Sequence, residues 1–321
     1  MLERLFIVVM LATVLAAPAG ARGTWGPACP ALESASLPPA AGDYERTLAF
    51  GGGTRYYELH VPAGASMRDP LPVVLVFHGG MGNAQGARRA THFDRKADRE
   101  KFLVVYPQGL GAFPRRFLTW NSGNCCGRAQ RENADDVGFV RAILDDLPRY
   151  VKVDERRVFA TGFSNGAMIS NRLGCELAER IAAIAPVSGT LGIAGCKPAR
   201  PVPVIHVHGT ADQNCPYAGG TGAHSLAGVS FRSVADSVKA WRTADRAVAV
   251  AQVSAHGAVK TERWAAGPGG ADVVLVTIEG QGHVWPGGEG LLPENMVGRD
   301  VGALDATDLV WEFFKEHPRA P

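Results

Sequence analysis

Gly162-Phe163-Ser164-Asn165-Gly166 decides how this chain folds. The apolar run Val158-Phe159-Ala160-Thr161 precedes it, and Ala167-Met168-Ile169-Ser170-Asn171-Arg172-Leu173, which reads as helix, follows. Gly-x-Ser-x-Gly alone is a weak pattern, because small residues recur by chance. Between a buried strand and a helix it is far more specific. That context predicts a nucleophile elbow, a turn so tight that only small residues fit beside the serine. Such a turn lifts Ser164 Oγ above a sheet and sets a helix N-terminus beneath it. The competing reading is an ordinary Gly-rich turn between strand and helix.

Strands and helices alternate on both sides of the turn. Val73-Val74-Leu75-Val76-Phe77 is a continuous apolar run, as expected of a strand buried on both faces. A polar segment to Glu100 reads as helical, and Phe102-Leu103-Val104-Val105-Tyr106 is the next strand. Ile184 to Val187, Val202 to Val207 and Val273 to Ile278 supply three more. Thr47 to Phe50 and Tyr56 to Val61 flank Gly51-Gly52-Gly53 and predict a hairpin. The spacing of Val234, Val238 and Trp241 marks a helix, and Leu309, Val310, Phe313 and Phe314 mark a closing one. Asp135 and Asp136 open another, with Val137, Val140, Leu144 and Leu147 on one face. Two acids there suit free N–H groups and the helix dipole, so both read as caps. Residues 107–133 form a long loop holding Trp120, and a loop of that length in a compact domain is usually functional. The pattern predicts the α/β class, with a mostly parallel doubly wound sheet flanked by helices.

The chain has 321 residues, 46% hydrophobic and 20% charged, which suits one large domain. Its net charge of +2 is scattered, so no nucleic-acid partner is expected. Residues 1–21 read as a signal peptide: Arg4, an apolar run from Leu5 to Ala17, then small residues around Ala19 and Ala21. The run is too short for a stable membrane anchor. Residues 22–43 are rich in Pro, Ala and Gly and read as a tether, leaving 44–317 as a single catalytic domain. The expected location is secreted, extracellular or periplasmic. Export makes disulfides the expectation for Cys29, Cys125, Cys126, Cys175, Cys196 and Cys215. Cys175–Cys196 is the favoured pair, because the two bracket one segment. Cys215 can pair with one of the adjacent cysteines, leaving the other for Cys29. A Cys125–Cys126 ring is the alternative. No Cys-x-x-Cys spacing supports a metal site.

A serine hydroxyl is a poor nucleophile until a base takes its proton. In an elbow fold the chain order is Ser, then acid, then His. Six of the nine histidines follow Ser164: His206, His208, His224, His256, His283 and His317. His283 lies in a Gly-rich loop directly after the last strong strand, so it can be aimed at the elbow. His206 and His208 alternate on a strand and read as core or supporting groups. Asp212 follows the strand that ends near His208, at the edge where ligands bind in such sheets. Asp236 and Asp245 fall on or beside a helix and suit the role less well. The oxyanion of an acyl-transfer intermediate needs N–H donors. Asn165, just after the nucleophile, offers one. Gly80, in the loop after the Val73–Phe77 run, is the favoured second, with Met81 as the alternative. Trp120 and Trp285 are candidate substrate-binding residues, each equally suited to a core position. No cofactor and no metal is called for.

These stretches resemble a known family. In order they are His78-Gly79-Gly80, Trp120-Asn121 with Cys125-Cys126-Gly127, Asp135-Asp136-Val137-Gly138-Phe139, Gly162 to Met168, His208 to Asp212, and Gly282-His283-Val284-Trp285-Pro286-Gly287. Together they are similar to the secreted esterases grouped as polyhydroxybutyrate depolymerases and feruloyl esterases, over residues 45–316. The resemblance implies an α/β-hydrolase fold and a metal-free serine triad, carried here by Ser164, Asp212 and His283. It implies a small-molecule or oligomeric ester as substrate and leaves the acyl group and the oligomeric state open. Many polymer-degrading members carry a polymer-binding domain, and none is read here, which favours soluble or oligomeric hydroxyacyl or hydroxycinnamoyl esters. The rival readings are an acetyl-xylan-type esterase, a peptidase on the same triad, and a catalytically silent binding protein.

Overall fold

The computed structural model describes residues 39–66 and 68–320. The expected signal peptide, most of the tether and Cys29 lie outside the described residues.

Ten strands form one sheet: β1 (Gly42–Phe50), β2 (Gly53–Val61), β3 (Leu71–Phe77), β4 (Leu103–Pro107), β5 (Val153–Phe163), β6 (Ala183–Val187), β7 (Val204–Gly209), β8 (Gln252–His256), β9 (Val259–Trp264) and β10 (Val273–Ile278). Their order is β1-β2-β4-β3-β5-β6-β7-β10-β9-β8. The pairs from β4 through β10 are parallel, and both edges are antiparallel hairpins. The helices are α1 (Ala84–Thr91), α2 (Phe93–Glu100), α3 (Gly127–Arg131), α4 (Asp136–Asp146), α5 (Asn165–Glu176), α6 (Val234–Ala244), α7 (Glu294–Val297) and α8 (Ala306–Glu316).

Alternation along the central strands divides the core. Val73, Leu75 and Phe77 of β3 join one cluster with Val140 and Ile143 of α4, Leu173 of α5 and Trp241 of α6. Val74 and Val76 point the other way, into a second cluster with Phe93 of α2 and Trp311 and Phe314 of α8. Successive side chains on a strand face opposite ways, so a strand covered on both faces must be apolar throughout. Every residue of β3, β4, β6 and β7 is buried. The chain is therefore doubly wound, as the alternation of strands and helices predicts.

Two local readings need refining. The polar segment before Glu100 is two helices, separated by His92 in left-handed conformation (φ 54°). Asp135 is the cap of α4, accepting the Gly138 N–H at 2.8 Å. Asp136 does more: fully buried, it pairs with Arg55 of β2 at 2.8 Å and accepts the Asn121 N–H at 2.7 Å. Burial works to raise its pKa and outweighs the Arg55 charge.

The cysteines follow the sequence reading in part. Cys175 and Cys196 are bonded, with Cα atoms 5.2 Å apart. Cys125 and Cys126 bond to each other, and Cys215 is a free, buried thiol. The pairing of Cys215 with one of the adjacent cysteines is thus overturned. Cys215 instead joins Cys125, Met168 and Phe231 in a small apolar cluster.

The Cys175–Cys196 bond ties the end of α5 to the loop before β7 across 21 residues. Closing a loop of that length should contribute about 3 kcal/mol. A Cys175→Ala/Cys196→Ala protein should unfold at correspondingly lower denaturant concentration. An unchanged midpoint would show that the bond adds no stability.

Candidate active site

The 162–166 turn joins β5 to α5 in mid-sheet. A Cβ on Gly162 would come within 2.6 Å of the Phe77 carbonyl oxygen, and one on Gly166 would strike the Phe77 and His78 carbonyl oxygens. Only glycine fits at either position. Between them Ser164 takes φ 57°, ψ −120°, a backbone region that side chains other than glycine's rarely enter. Its own backbone groups are paired: its N–H donates to Val187 O and its C=O accepts from Met168 N–H, both at 3.0 Å. The hydroxyl is left to project from the turn.

Neighbouring strands deliver the two partners. β7 and β10 pair in parallel, so the loops after them emerge side by side. Ala211 N–H donates to Gln281 O at 3.1 Å, and Gly280 N–H to Thr210 Oγ1 at 2.9 Å, which binds the loops together. One loop carries Asp212 and the other His283. His283 Nε2 lies 2.9 Å from Ser164 Oγ, and Nδ1 lies 2.7 Å from Asp212 Oδ2. Asp212 and His283 are both buried, and the Phe163 ring packs 4.7 Å from the imidazole. Burial works to raise the Asp212 pKa. The His283 charge, with hydrogen bonds from His208 and His283, outweighs it and holds Asp212 below the usual carboxylate range. An ionised carboxylate on Nδ1 leaves Nε2 free to accept the serine proton.

The loop after β3 supplies the facing wall. His78 is fully enclosed, and burial pushes its pKa down to about 4, so its ring is neutral near pH 7. Its Nε2 accepts the Gly109 N–H at 3.1 Å, which leaves Nδ1–H to donate to Gly79 O at 2.7 Å. Gly82 N–H donates to the same carbonyl at 3.1 Å. In a planar trans peptide the C=O and the following N–H point opposite ways. Holding Gly79 O therefore fixes the direction of the Gly80 N–H. The N–H groups of Gly80, Met81 and Asn165 have no acceptor among the described residues. Gly80 sits against the Asn165 side chain, and Asn165 opens α5, whose dipole favours negative charge there.

Trp120 and Trp285 are not pocket walls; both are core. Trp120 is fully buried, donates Nε1–H to His78 O at 3.0 Å and meets Phe77 edge-on. Trp285 donates to Thr307 Oγ1 at 3.0 Å and packs on Phe93. A tryptophan beside a glycine-rich loop reads alike whether it faces ligand or core. Among the described residues the exposed Phe, Tyr and Trp side chains are Phe113 and Phe117, in a loop tied to the Gly79–Gly82 turn by Leu118 N–H on Gly82 O at 3.2 Å. Sequence reading marked that loop through Trp120, whose ring is buried. It also missed the Asn165 side chain. That amide accepts Trp120 N–H at 2.7 Å and donates to Trp120 O (3.1 Å) and Ser122 Oγ (3.0 Å), pinning the long loop to the elbow. Met81 is exposed at φ 63°.

Comparison with known proteins finds esterases. The family described as esterase PHB depolymerase matches residues 55–199. The putative esterase NocK of Nocardia uniformis subsp. tsuyamanensis is 30% identical over 285 residues, which are 84% of this chain and 81% of that protein. Feruloyl esterase B of Piromyces equi is 31% identical over 229 residues, 69% of this chain; the match spans only 41% of that longer protein. Among solved structures, the acetyl xylan esterase from Aspergillus awamori superposes with a TM-score of 0.53 at 16% identity, covering 84% of this chain and 99% of that one. That likeness concerns the fold alone, which is the α/β-hydrolase fold.

The strain at Ser164 has a measurable consequence. A Ser164→Gly protein should be more stable than Ser164→Ala by about 1 kcal/mol, since glycine occupies positive φ freely. Chemical unfolding of the two variants tests this. Equal stability, or a more stable alanine variant, would mean the turn stores no strain.

Proposed function

The chain belongs to the esterase PHB depolymerase family, and we propose that it is a secreted serine carboxylic-ester hydrolase working through an acyl-enzyme. One observation carries the reading: Ser164 Oγ, the His283 ring and the Asp212 carboxylate form a continuous hydrogen-bonded row. In the proposed mechanism Ser164 Oγ attacks the ester carbonyl carbon as His283 Nε2 takes its proton. Asp212 holds the imidazole tautomer and stabilises the imidazolium. The N–H groups of Gly80 and Asn165 bind the oxyanion, each worth about 3–4 kcal/mol in the transition state. Collapse breaks the bond to the alcohol oxygen, and His283 returns the proton to that oxygen. Water, deprotonated by His283, then attacks the acyl carbon and regenerates Ser164 with release of the acid.

The substrates are soluble or oligomeric hydroxyacyl or hydroxycinnamoyl esters. Support for the hydroxycinnamoyl class is the likeness to a feruloyl esterase and the exposed Phe113–Phe117 pair beside the Gly79–Gly82 turn. The Cys175–Cys196 bond supports an oxidising destination. No described helix is long and apolar enough to cross a membrane.

Ser164→Ala should lower kcat/KM on p-nitrophenyl esters by about 10⁴-fold or more. Wild-type turnover in that variant would end the assignment. Product analysis of the wild-type protein on methyl ferulate and on hydroxybutyrate oligomers should give free acid from at least one of them. Release of acetate from acetylated xylan alone would move the protein to the acetyl-xylan class.

A further inference from the structure

His283 is one of several groups holding Asp212. Asp212 Oδ1 accepts the backbone N–H groups of Asn214 at 2.9 Å and Cys215 at 2.8 Å. Asp212 Oδ2, which faces His283, also lies 3.4 Å from His208 Nε2. His208 Nε2 is 2.8 Å from the Cys215 carbonyl oxygen. A carbonyl has no proton to give, so Nε2 carries the hydrogen. Burial holds His206 well below the ordinary histidine value, so it carries one ring hydrogen; placed on Nε2, that hydrogen is donated to His208 Nδ1, 3.1 Å away. The two rings lie in parallel planes, 1° apart. The row ends at His206 Nδ1, which is buried with no hydrogen-bond partner among the described residues. A bare lone pair is tolerated there better than an orphaned N–H.

We infer that His208, its tautomer fixed by His206, is a positioning residue that clamps the 212–215 turn and so keeps Asp212 on His283. The inference rests on the serine-esterase reading above. Cys215 shows how the clamp works. Its N–H holds Asp212 Oδ1 and its C=O is held by His208, so one residue links the imidazole to the carboxylate. His208 also reaches Oδ2 directly. With His208 removed, the turn loses its buried anchor and the carboxylate is free to swing off His283.

The groups facing His208 are few. On β7 there is His206, which burial, and then the neighbouring His208, push well below the ordinary histidine value. The following loop brings Asp212, the Cys215 thiol and the edge of the Tyr217 ring, whose hydroxyl bonds Thr277 Oγ1 of β10 at 2.8 Å. Burial, with Asp212 adding to it, pushes the Cys215 thiol up to about 12, so it is uncharged near pH 7. His283 lies beyond Asp212.

The test compares wild type, His208→Leu, His208→Gln and Ser164→Ala on a p-nitrophenyl ester. Rates of the proteins that keep Ser164 are referred to sites titrated with a fluorophosphonate, so unfolded molecules do not count, and those of Ser164→Ala to total folded protein. His208→Leu should lower kcat about 10- to 100-fold, the range found when an outer partner of a functional side chain is lost. KM should stay within about twofold, as expected when an interaction specific to the transition state is removed. The acid limb of kcat/KM should move to lower pH, because the imidazolium loses part of its counter-charge. His208→Gln, whose amide N–H can reach the Cys215 carbonyl, should recover most of kcat. Wild-type kcat per titrated site in His208→Leu, or a loss with an unmoved or upward-moving acid limb, would overturn the inference. Wild-type turnover in Ser164→Ala would overturn the serine reading and this inference with it. Loss in Ser164→Ala beside an unaffected His208→Leu would overturn the positioning role alone.

Discussion

No side chain fits where β5 and α5 pass the carbonyls of Phe77 and His78, and the site is arranged around that contact. The parallel pairing of β3 with β5 brings the two backbones together in mid-sheet. Glycines at 162 and 166 let the chain reverse in the space available. The serine between them is forced to positive φ, at a cost on the order of 1–3 kcal/mol. Such a cost persists only where the surroundings over-determine it. Here β6 and α5 take the Ser164 N–H and C=O, leaving the hydroxyl to His283.

The sheet order does the rest. Because β10 returns to pair with β7, two loops separated by about seventy residues in sequence leave the sheet together. Backbone hydrogen bonds between them hold Asp212 and His283 in register before any substrate arrives. Rigid placement of this kind matters because reacting groups gain most when their geometry is set in advance. The opposite wall follows the same logic. A neutral buried His78 grips Gly79 O, and the planarity of one peptide aims the next N–H.

Much of this was legible in the residues. Buried parallel strands must be apolar along their length, so β3, β4 and β10 stand out as unbroken runs. Chain order singled out Asp212 and His283, and the structure brings both to Ser164. What was not legible depended on contacts between distant segments. Asp136 looked like a second cap because its partner Arg55 lies on another strand 81 residues away. Trp120 and Trp285 suited pocket and core equally, because nothing local tells which way an indole faces. Cys215 seemed due a partner, whereas the adjacent cysteines satisfy each other. Strand β9, next to the edge, carries Lys260, Glu262 and Arg263, too polar for a run to announce it. His208 read as a supporting residue, but its link to Asp212 appears only once the 212–215 turn curls back on its own strand.

The central claim is that Ser164, activated by His283, is the nucleophile. Fluorophosphonate labelling followed by peptide mass spectrometry tests it most directly. The account predicts a single adduct, on Ser164, formed at least a hundredfold more slowly in His283→Ala. An adduct on another residue, or undiminished labelling of Ser164 without His283, would contradict it.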